Sequence, residues 1–241
     1  MADALLSLRG VQTHIGRYHI LHGVDFDVPA GGLTMLLGRN GAGKTTTLRT
    51  VMGMWRASSG EIRFDGRDIT RLETADVARL GIAYVPESMA IFADLTVQEN
   101  LVLAARSGPP RADRLDRIFQ RFPALRRFWT LPAGLLSGGQ KQMLAVARAI
   151  VEPRRLLLID EPTKGLAPAI IANMIDAFRE LKDGESTLLV VEQNFAFARR
   201  LGDTVAVMDD GRTVLQDTMH AFAADTTLQQ HLLGLGMDTH Q

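Results

Sequence analysis

The sequence predicts an α/β fold with a phosphate-binding core on a mostly parallel sheet and a helical insertion. Three observations carry this. The apolar run 33–37 leads straight into a glycine-rich loop and then a helix. The apolar runs 156–159 and 187–191 are separated by a helical stretch, 170–181, which is the βαβ rhythm of parallel strands. Between the two, residues 97–128 turn arginine-rich and helical in pattern, with no evident strand.

Taken in order, residues 5–11 and 20–28 read as strands, short apolar runs bounded by turn residues. After the glycine loop, residues 45–54 place Leu48, Val51 and Met52 at helical spacing. Residues 61–64 form a strand entering the turn Asp65-Gly66. Gly108-Pro109-Pro110 and Pro123 break the insertion into separate helices, because proline cannot continue a helical hydrogen-bond ladder. Residues 205–208 and 212–215 flank Asp209-Asp210-Gly211, a hairpin signal. The chain has no internal repeat, and beyond Thr226 it offers a short helix at most.

Composition bounds the function. With 241 residues, 46% of them hydrophobic, the chain can bury the core of one large domain or of two lobes. Lysine and arginine total 27 and are matched by 27 aspartates and glutamates, so there is no net pull toward nucleic acid or an anionic bilayer. Cysteine is absent, which excludes disulfides and thiolate metal sites and fits a reducing compartment. Residues 1–8 lack a basic segment followed by a long apolar run, and no stretch approaches the roughly 18 apolar residues of a membrane span. Membrane contact is therefore expected through a partner.

Gly38-Arg39-Asn40-Gly41-Ala42-Gly43-Lys44-Thr45 matches G-x-x-x-x-G-K-[ST], after an apolar strand and before a helix as that motif requires. Its glycines let backbone N–H groups converge on a β-phosphate at a helix N-terminus, where Thr46 follows in the first turn. Lys44 is placed to offset charge on the β and γ oxygens, and the Thr45 hydroxyl to ligate Mg²⁺. Read blandly, the same run is a glycine-rich turn before an ordinary helix.

Leu156-Leu157-Leu158-Ile159-Asp160-Glu161 is an apolar strand ending in two carboxylates. The C-terminal end of such a strand lies at the crevice where ligands bind, so Asp160 is placed to hold Mg²⁺ through water and Glu161 to polarise the attacking water. Alone, the pair also reads as a solvated acidic turn. Leu136-Ser137-Gly138-Gly139-Gln140 precedes a helix with Met143, Val146, Ala147 and Ile150 on one face. Ser137 with Gln140 three residues on is a capping box, which by itself accounts for both. The two glycines add bare backbone N–H groups at a positive helix end, a second anion site. One γ-phosphate is already served by Lys44, so a second site implies two chains.

The phosphate loop, the LSGGQ segment and the LLLIDEPT segment, in this order and with these separations, resemble the ATP-binding cassette subunits of ABC transporters over nearly the whole chain. The resemblance implies the ABC ATPase fold, a P-loop NTPase core with a mostly parallel sheet, an N-terminal antiparallel β subdomain and a helical insertion: one domain over residues 1–241, with a core lobe from 1–86 and 156–241 and a helical lobe from about 87–155. It implies ATP and Mg²⁺ as ligands, and two subunits that sandwich two ATP molecules, each between one chain's phosphate loop and the other's Ser137, Gly138, Gly139 and Gln140.

Three departures from the commoner cassette pattern narrow the resemblance. Tyr84-Val85-Pro86-Glu87 has Glu87 where most relatives have glutamine, and a carboxylate there is expected to join Thr45 and Asp160 around Mg²⁺. Val190-Val191-Glu192-Gln193-Asn194 puts Gln193 in the place of a switch histidine. Its amide can donate to a γ-phosphate and cannot gain a proton near neutral pH, so Gln193 joins Glu161 and Lys44 as a catalytic candidate. Gly165-Leu166-Ala167-Pro168 lacks a common aspartate. All three are similar to the smaller ATPase of branched-chain amino-acid importers. That implies a second ATPase subunit, related or identical, two transmembrane permease subunits, an extracytoplasmic solute-binding protein reached indirectly, no nucleic acid, and a place on the cytoplasmic face of the inner membrane. The rivals are a soluble cassette ATPase that remodels macromolecules, the ATPase of a lipid or polysaccharide exporter and, third, a nucleotide-sensing module without turnover, which the intact Lys44, Asp160 and Glu161 disfavour.

By the same resemblance the aromatic that stacks on adenine falls near His14-Ile15-Gly16, where this chain has Ile15; Tyr18, three residues on, is the alternative. The loop 87–96, with Ile91 and Phe92, is the candidate for the permease groove, and a core role for both residues is as good a reading. His19, His22, His220, His231 and His240 have no ligand spacing and read as surface or packing residues. The arginines at 106, 111, 114, 117, 121, 126 and 127 read as a solvated face ahead of a partner contact.

Overall fold

The computed structural model describes residues 4–106, 108–184 and 186–234; His240 lies outside them. In chain order the elements are β1 (Ala4–Ile15), β2 (Tyr18–Pro29), β3 (Leu33–Gly38), α1 (Lys44–Val51), β4 (Ala57–Phe64), β5 (Arg67–Asp68), α2 (Thr74–Arg79) and β6 (Ile82–Val85). Three helices follow, α3 (Val97–Ala104), α4 (Ala112–Arg121) and α5 (Pro123–Arg127), and then α6 (Gly138–Ile150). The chain closes with β7 (Leu156–Asp160), α7 (Pro168–Asp183), β8 (Thr187–Val191), α8 (Phe195–Leu201), β9 (Thr204–Asp209), β10 (Arg212–Thr218), α9 (Met219–Ala224) and α10 (Thr226–Leu233).

The strands form two sheets. One is antiparallel in the order β2-β1-β4-β5; the other runs β10-β9-β3-β8-β7-β6, parallel except for the β9–β10 hairpin. The phosphate-loop strand β3 is central, between β8 and β9. A strand buried on both faces alternates its side chains between two cores, and these strands do so. Leu157 and Ile159 of β7, Leu188 and Val190 of β8, and Val205 and Val207 of β9 face a core shared with α3 to α9. Leu156, Leu158, Leu189, Val191, Ala206 and Met208 face the other core, shared with the antiparallel sheet and α1. Both sides of the sheet are thus covered, and its C-terminal edge is the free rim on which functional groups can be mounted.

The expected strands and helices are all present. Sequence reasoning left β6 unassigned, a four-residue strand inside a stretch read for its motif alone. It pairs parallel with β7 through Ile82 to Val85. α6 is buried more widely than one face, since Gln142, Leu144 and Ala145 are also buried. The helical insertion thus packs on the sheet through a broad surface.

Candidate functional site

The loop between β3 and α1 is shaped by backbone sterics. Gly38 has φ +146°, and a Cβ there would lie 2.3 Å from Met208 O on β9, so only glycine lets the two strands approach. Gly43, at φ +99°, is the N-cap of α1, and no side chain caps that helix end; its first backbone donors face the loop. Lys44, 4% exposed, arches back so that its ammonium donates to Gly38 O at 2.7 Å and Arg39 O at 3.0 Å. Burial pushes the Lys44 pKa down, opposed by the charges of Glu161 and Asp160.

Asp160 ends β7 fully buried. Its Oδ1 accepts from Thr45 Oγ1 at 3.1 Å and its Oδ2 from Tyr84 Oη at 3.2 Å. Burial raises the Asp160 pKa against those two hydrogen bonds, and desolvation with the nearby carboxylate pushes the Tyr84 phenol up to about 12. A buried carboxylate whose bonding partners are hydroxyls is costly, and a cation beside it repays that cost. With the hard oxygens of Thr45 and Asp160 in contact, the donor set fits Mg²⁺.

Glu161 follows at φ +46°, a conformation that a non-glycine residue adopts only when its surroundings impose it. Its N–H donates to Val191 O of β8 at 2.9 Å. Gln193 Nε2 donates to Glu161 Oε1 at 2.5 Å, and Lys164 Nζ lies 3.5 Å from Oε2. Lys164 also reaches Glu87 Oε1, at 2.6 Å. Beneath them Glu192, 3% exposed, accepts from Thr163 N and Oγ1 and from the backbone N–H groups of Gln193 and Asn194, which pins both strand-end loops to one carboxylate.

Asn40 to Thr46 together with Ile20, Glu87, Glu161 and Lys164 line a cavity of about 370 Å³. A second cavity of the same size lies between α4 and the segments preceding β7 and β8, lined by Arg114, Arg117, Arg121, Arg154 and Arg155. Volume does not separate the two; the loop, the hydroxyl and the carboxylates make the first the candidate nucleotide site.

The other expected residues lie elsewhere. Ser137 is the N-cap of α6, and the capping box is complete: Gln140 N donates to Ser137 Oγ at 3.4 Å and Ser137 N to Gln140 Oε1 at 2.9 Å. Ser137 and Gly138 are exposed, and neither lines the phosphate-loop cavity. Gly139 is buried, and a Cβ on it would meet Ile170 Cγ2 of α7 at 2.5 Å, so its bareness serves helix packing. Ile15 and Tyr18 are directly paired at the β1–β2 hairpin tip, with Tyr18 59% exposed and the Arg17 guanidinium 5.2 Å from its ring centroid. Of the loop after β6, Phe92 is exposed and Ile91 half-buried. Arg148 of α6 clamps this loop, donating to Ala90 O and lying 4.8 Å over the Phe92 ring. His14 and His19 stack at 4.1 Å and His19 packs on His22, in keeping with packing roles. Within the arginine face, Arg114 pairs with Glu152, and Arg126 and Arg127 lie over Phe119 and Phe128.

Three residues of the site escaped sequence reasoning. Tyr84 belongs to no motif of its own, and its place on β6 facing Asp160 depends on strand register. Glu192 and Lys164 sat inside segments read for other positions, and their partners are 29 and 77 residues away in sequence.

Comparison with known proteins places the chain in a family. Residues 21–164 match the family model described as ABC transporter. The chain is 37% identical to the high-affinity branched-chain amino acid transport ATP-binding protein BraG of Pseudomonas aeruginosa, over 95% of this chain and 100% of that protein. It is 36% identical to a probable branched-chain amino acid transport ATP-binding protein, LivF, of Archaeoglobus fulgidus, over 95% and 99%. Among solved structures it is similar to a nucleotide-free ATP-binding cassette from an ABC transporter, with a TM-score of 0.83 at 24% identity over 97% of this chain and all of that one. It is also similar to an ATP-binding subunit of an ABC transporter, with a TM-score of 0.80 at 27% identity over 95% and 96%. The chain therefore belongs to the ABC transporter family, as a nucleotide-binding ATPase with the cassette fold.

Proposed function

We propose that this chain is the ATP-hydrolysing subunit of an importer for branched-chain or related amino acids. The observation that carries the reading is the meeting of the phosphate loop, the Thr45–Asp160 pair and the strained Glu161 at one rim of the parallel sheet. The relatives' printed roles supply the solute class. In this reading the chain works at the membrane periphery: among the described residues no helix is long and apolar enough to cross a membrane, so permease subunits anchor it. The loop carrying Phe92 and held by Arg148 is its contact with them.

The chemistry follows from the side chains. Backbone donors of residues 40–46 and the Lys44 ammonium hold the β- and γ-phosphates. Thr45, Asp160 and Glu87 would hold Mg²⁺, which would supply positive charge against that developing on the phosphate oxygens. Glu161, its carboxylate oriented by Gln193, accepts a proton from water as the water oxygen bonds to the γ-phosphorus. The bond from that phosphorus to the bridging oxygen breaks, and ADP and phosphate leave. Ser137 and Gly138 complete the site of a second subunit, identical or related. On this view residues 1–241 act as one ATPase domain, with core and helical lobes dividing near residues 87 and 155.

The test is Glu161→Gln. Phosphate release is expected to fall about 10²–10⁴-fold, the share one positioned base supplies, while ATP-dependent dimers persist on size exclusion. Turnover equal to the parent's would discard Glu161 as the base.

A further inference from the structure

Lys164 has no part in the mechanism above, yet it stands in the middle of the site. Glu87 follows β6 and Glu161 follows β7, and the two carboxylates are joined by this lysine's ammonium, 2.6 Å from Glu87 Oε1 and 3.5 Å from Glu161 Oε2. All three residues line the phosphate-loop cavity. The turn that presents the lysine is fixed locally: Lys164 N donates to Glu161 O at 3.2 Å, and Thr163 is tied to the buried Glu192. The hydrogen bond to Glu87 and the charge of Glu161 keep the Lys164 ammonium protonated, raising its pKa.

A divalent cation ligated by Glu87 needs the carboxylate that this ammonium already engages, and two cations sharing it repel. We propose that Lys164 is a built-in competitor for Mg²⁺ at Glu87, setting the ion concentration at which the site closes on a nucleotide's phosphates. The lysine then makes two states of the site mutually exclusive: Glu87 bound to Lys164 and drawn toward Glu161, or Glu87 bound to the metal with Lys164 released. Because Glu87 begins the loop that carries Phe92 and that Arg148 of α6 clamps, the exchange also links metal occupancy to the position of that loop. The proposal rests on the reading of Glu87 as a metal ligand.

The experiment is a binding measurement on the full chain, with a fluorescent ATP analogue at fixed concentration and MgCl₂ titrated in after chelation. Lys164→Met, which keeps the stem and removes the charge, is expected to lower the Mg²⁺ midpoint about two- to fivefold, the scale of a solvent-exposed ion pair. Lys164→Arg is expected to keep the parent midpoint. Glu87→Gln is expected to raise it, and adding Lys164→Met to that variant to change nothing more. A Lys164→Met midpoint equal to or above the parent's, in protein with the parent's melting temperature, overturns the proposal. So does a lowering that survives undiminished in the Glu87→Gln background. Glu87→Gln with an unchanged midpoint instead overturns the assignment of Glu87 itself.

Discussion

The phosphate loop and the tip of α6 are both glycine-containing helix N-termini, and they are built in opposite ways. At the loop every functional side chain is engaged within the chain: Lys44 on its own loop carbonyls, Thr45 on Asp160, Glu161 on Gln193. At the α6 tip Ser137 and Gly138 face solvent, and the hydrogen bonds present are those of a capping box. A site finished inside one chain gathers partners from distant strands; a site that needs a neighbour presents exposed donors with no local task beyond capping. Under the proposed function, the contrast is the one expected of two halves of a nucleotide site carried on two polypeptides.

The largest test of that contrast is Ser137→Arg. Filling the exposed tip with a bulky cation is expected to leave nucleotide binding by the isolated chain within twofold of the parent, while hydrolysis by the assembled ATPase falls about 10²–10³-fold, as on loss of a transition-state donor. Weakened binding in the monomer would break the contrast, because it would put the tip in the chain's own site.

A smaller effect separates the two glycines of that tip. Gly139→Ala forces a Cβ to 2.5 Å from Ile170 and is expected to cost about 1–3 kcal/mol in urea unfolding, the usual price of overpacking. Gly138 has open space around it at the first position of α6, so Gly138→Ala is expected to leave stability unchanged or slightly improved. Hydrolysis in the assembly responds in the reverse order if Gly138 is the glycine that faces the partner's phosphate. Equal effects of the two substitutions on stability would remove the distinction between packing and function.

The same contrast explains what was legible in the sequence. The loop, the Asp160-Glu161 pair and the apolar runs of β7 and β8 are readable because each is a local pattern whose neighbours in sequence are its neighbours in the fold. β6 was missed since four residues carry too little periodicity, and with it went the register that brings Tyr84 to Asp160. Lys164 and Glu192 were invisible for another reason: their roles exist only once three strand ends lie side by side. In the sequence Gly139 offers a bare N–H donor; in the fold its missing Cβ lets α7 pack, a contact between helices that no spacing rule within one helix encodes.

The smallest expected effect concerns the adenine. The expected aromatic position holds Ile15, and the β1–β2 register pairs Ile15 directly with Tyr18 across the hairpin. Directly opposed residues in an antiparallel pair project from the same face, so the tyrosine offers an aromatic ring one strand over, on the side where Ile15 stands. Arg17 covers one face of that ring, and the ring is otherwise exposed. Tyr18→Ala is accordingly expected to cost about 1 kcal/mol of ATP affinity, the low end of the range for base stacking, seen as a several-fold rise in Kd by fluorescence titration. The exchange of both residues, Ile15→Tyr with Tyr18→Ile, is expected to restore it, because the pair and its face are preserved. A Tyr18→Ala chain that binds ATP and inosine triphosphate as the parent does would mean that the base lies away from this hairpin.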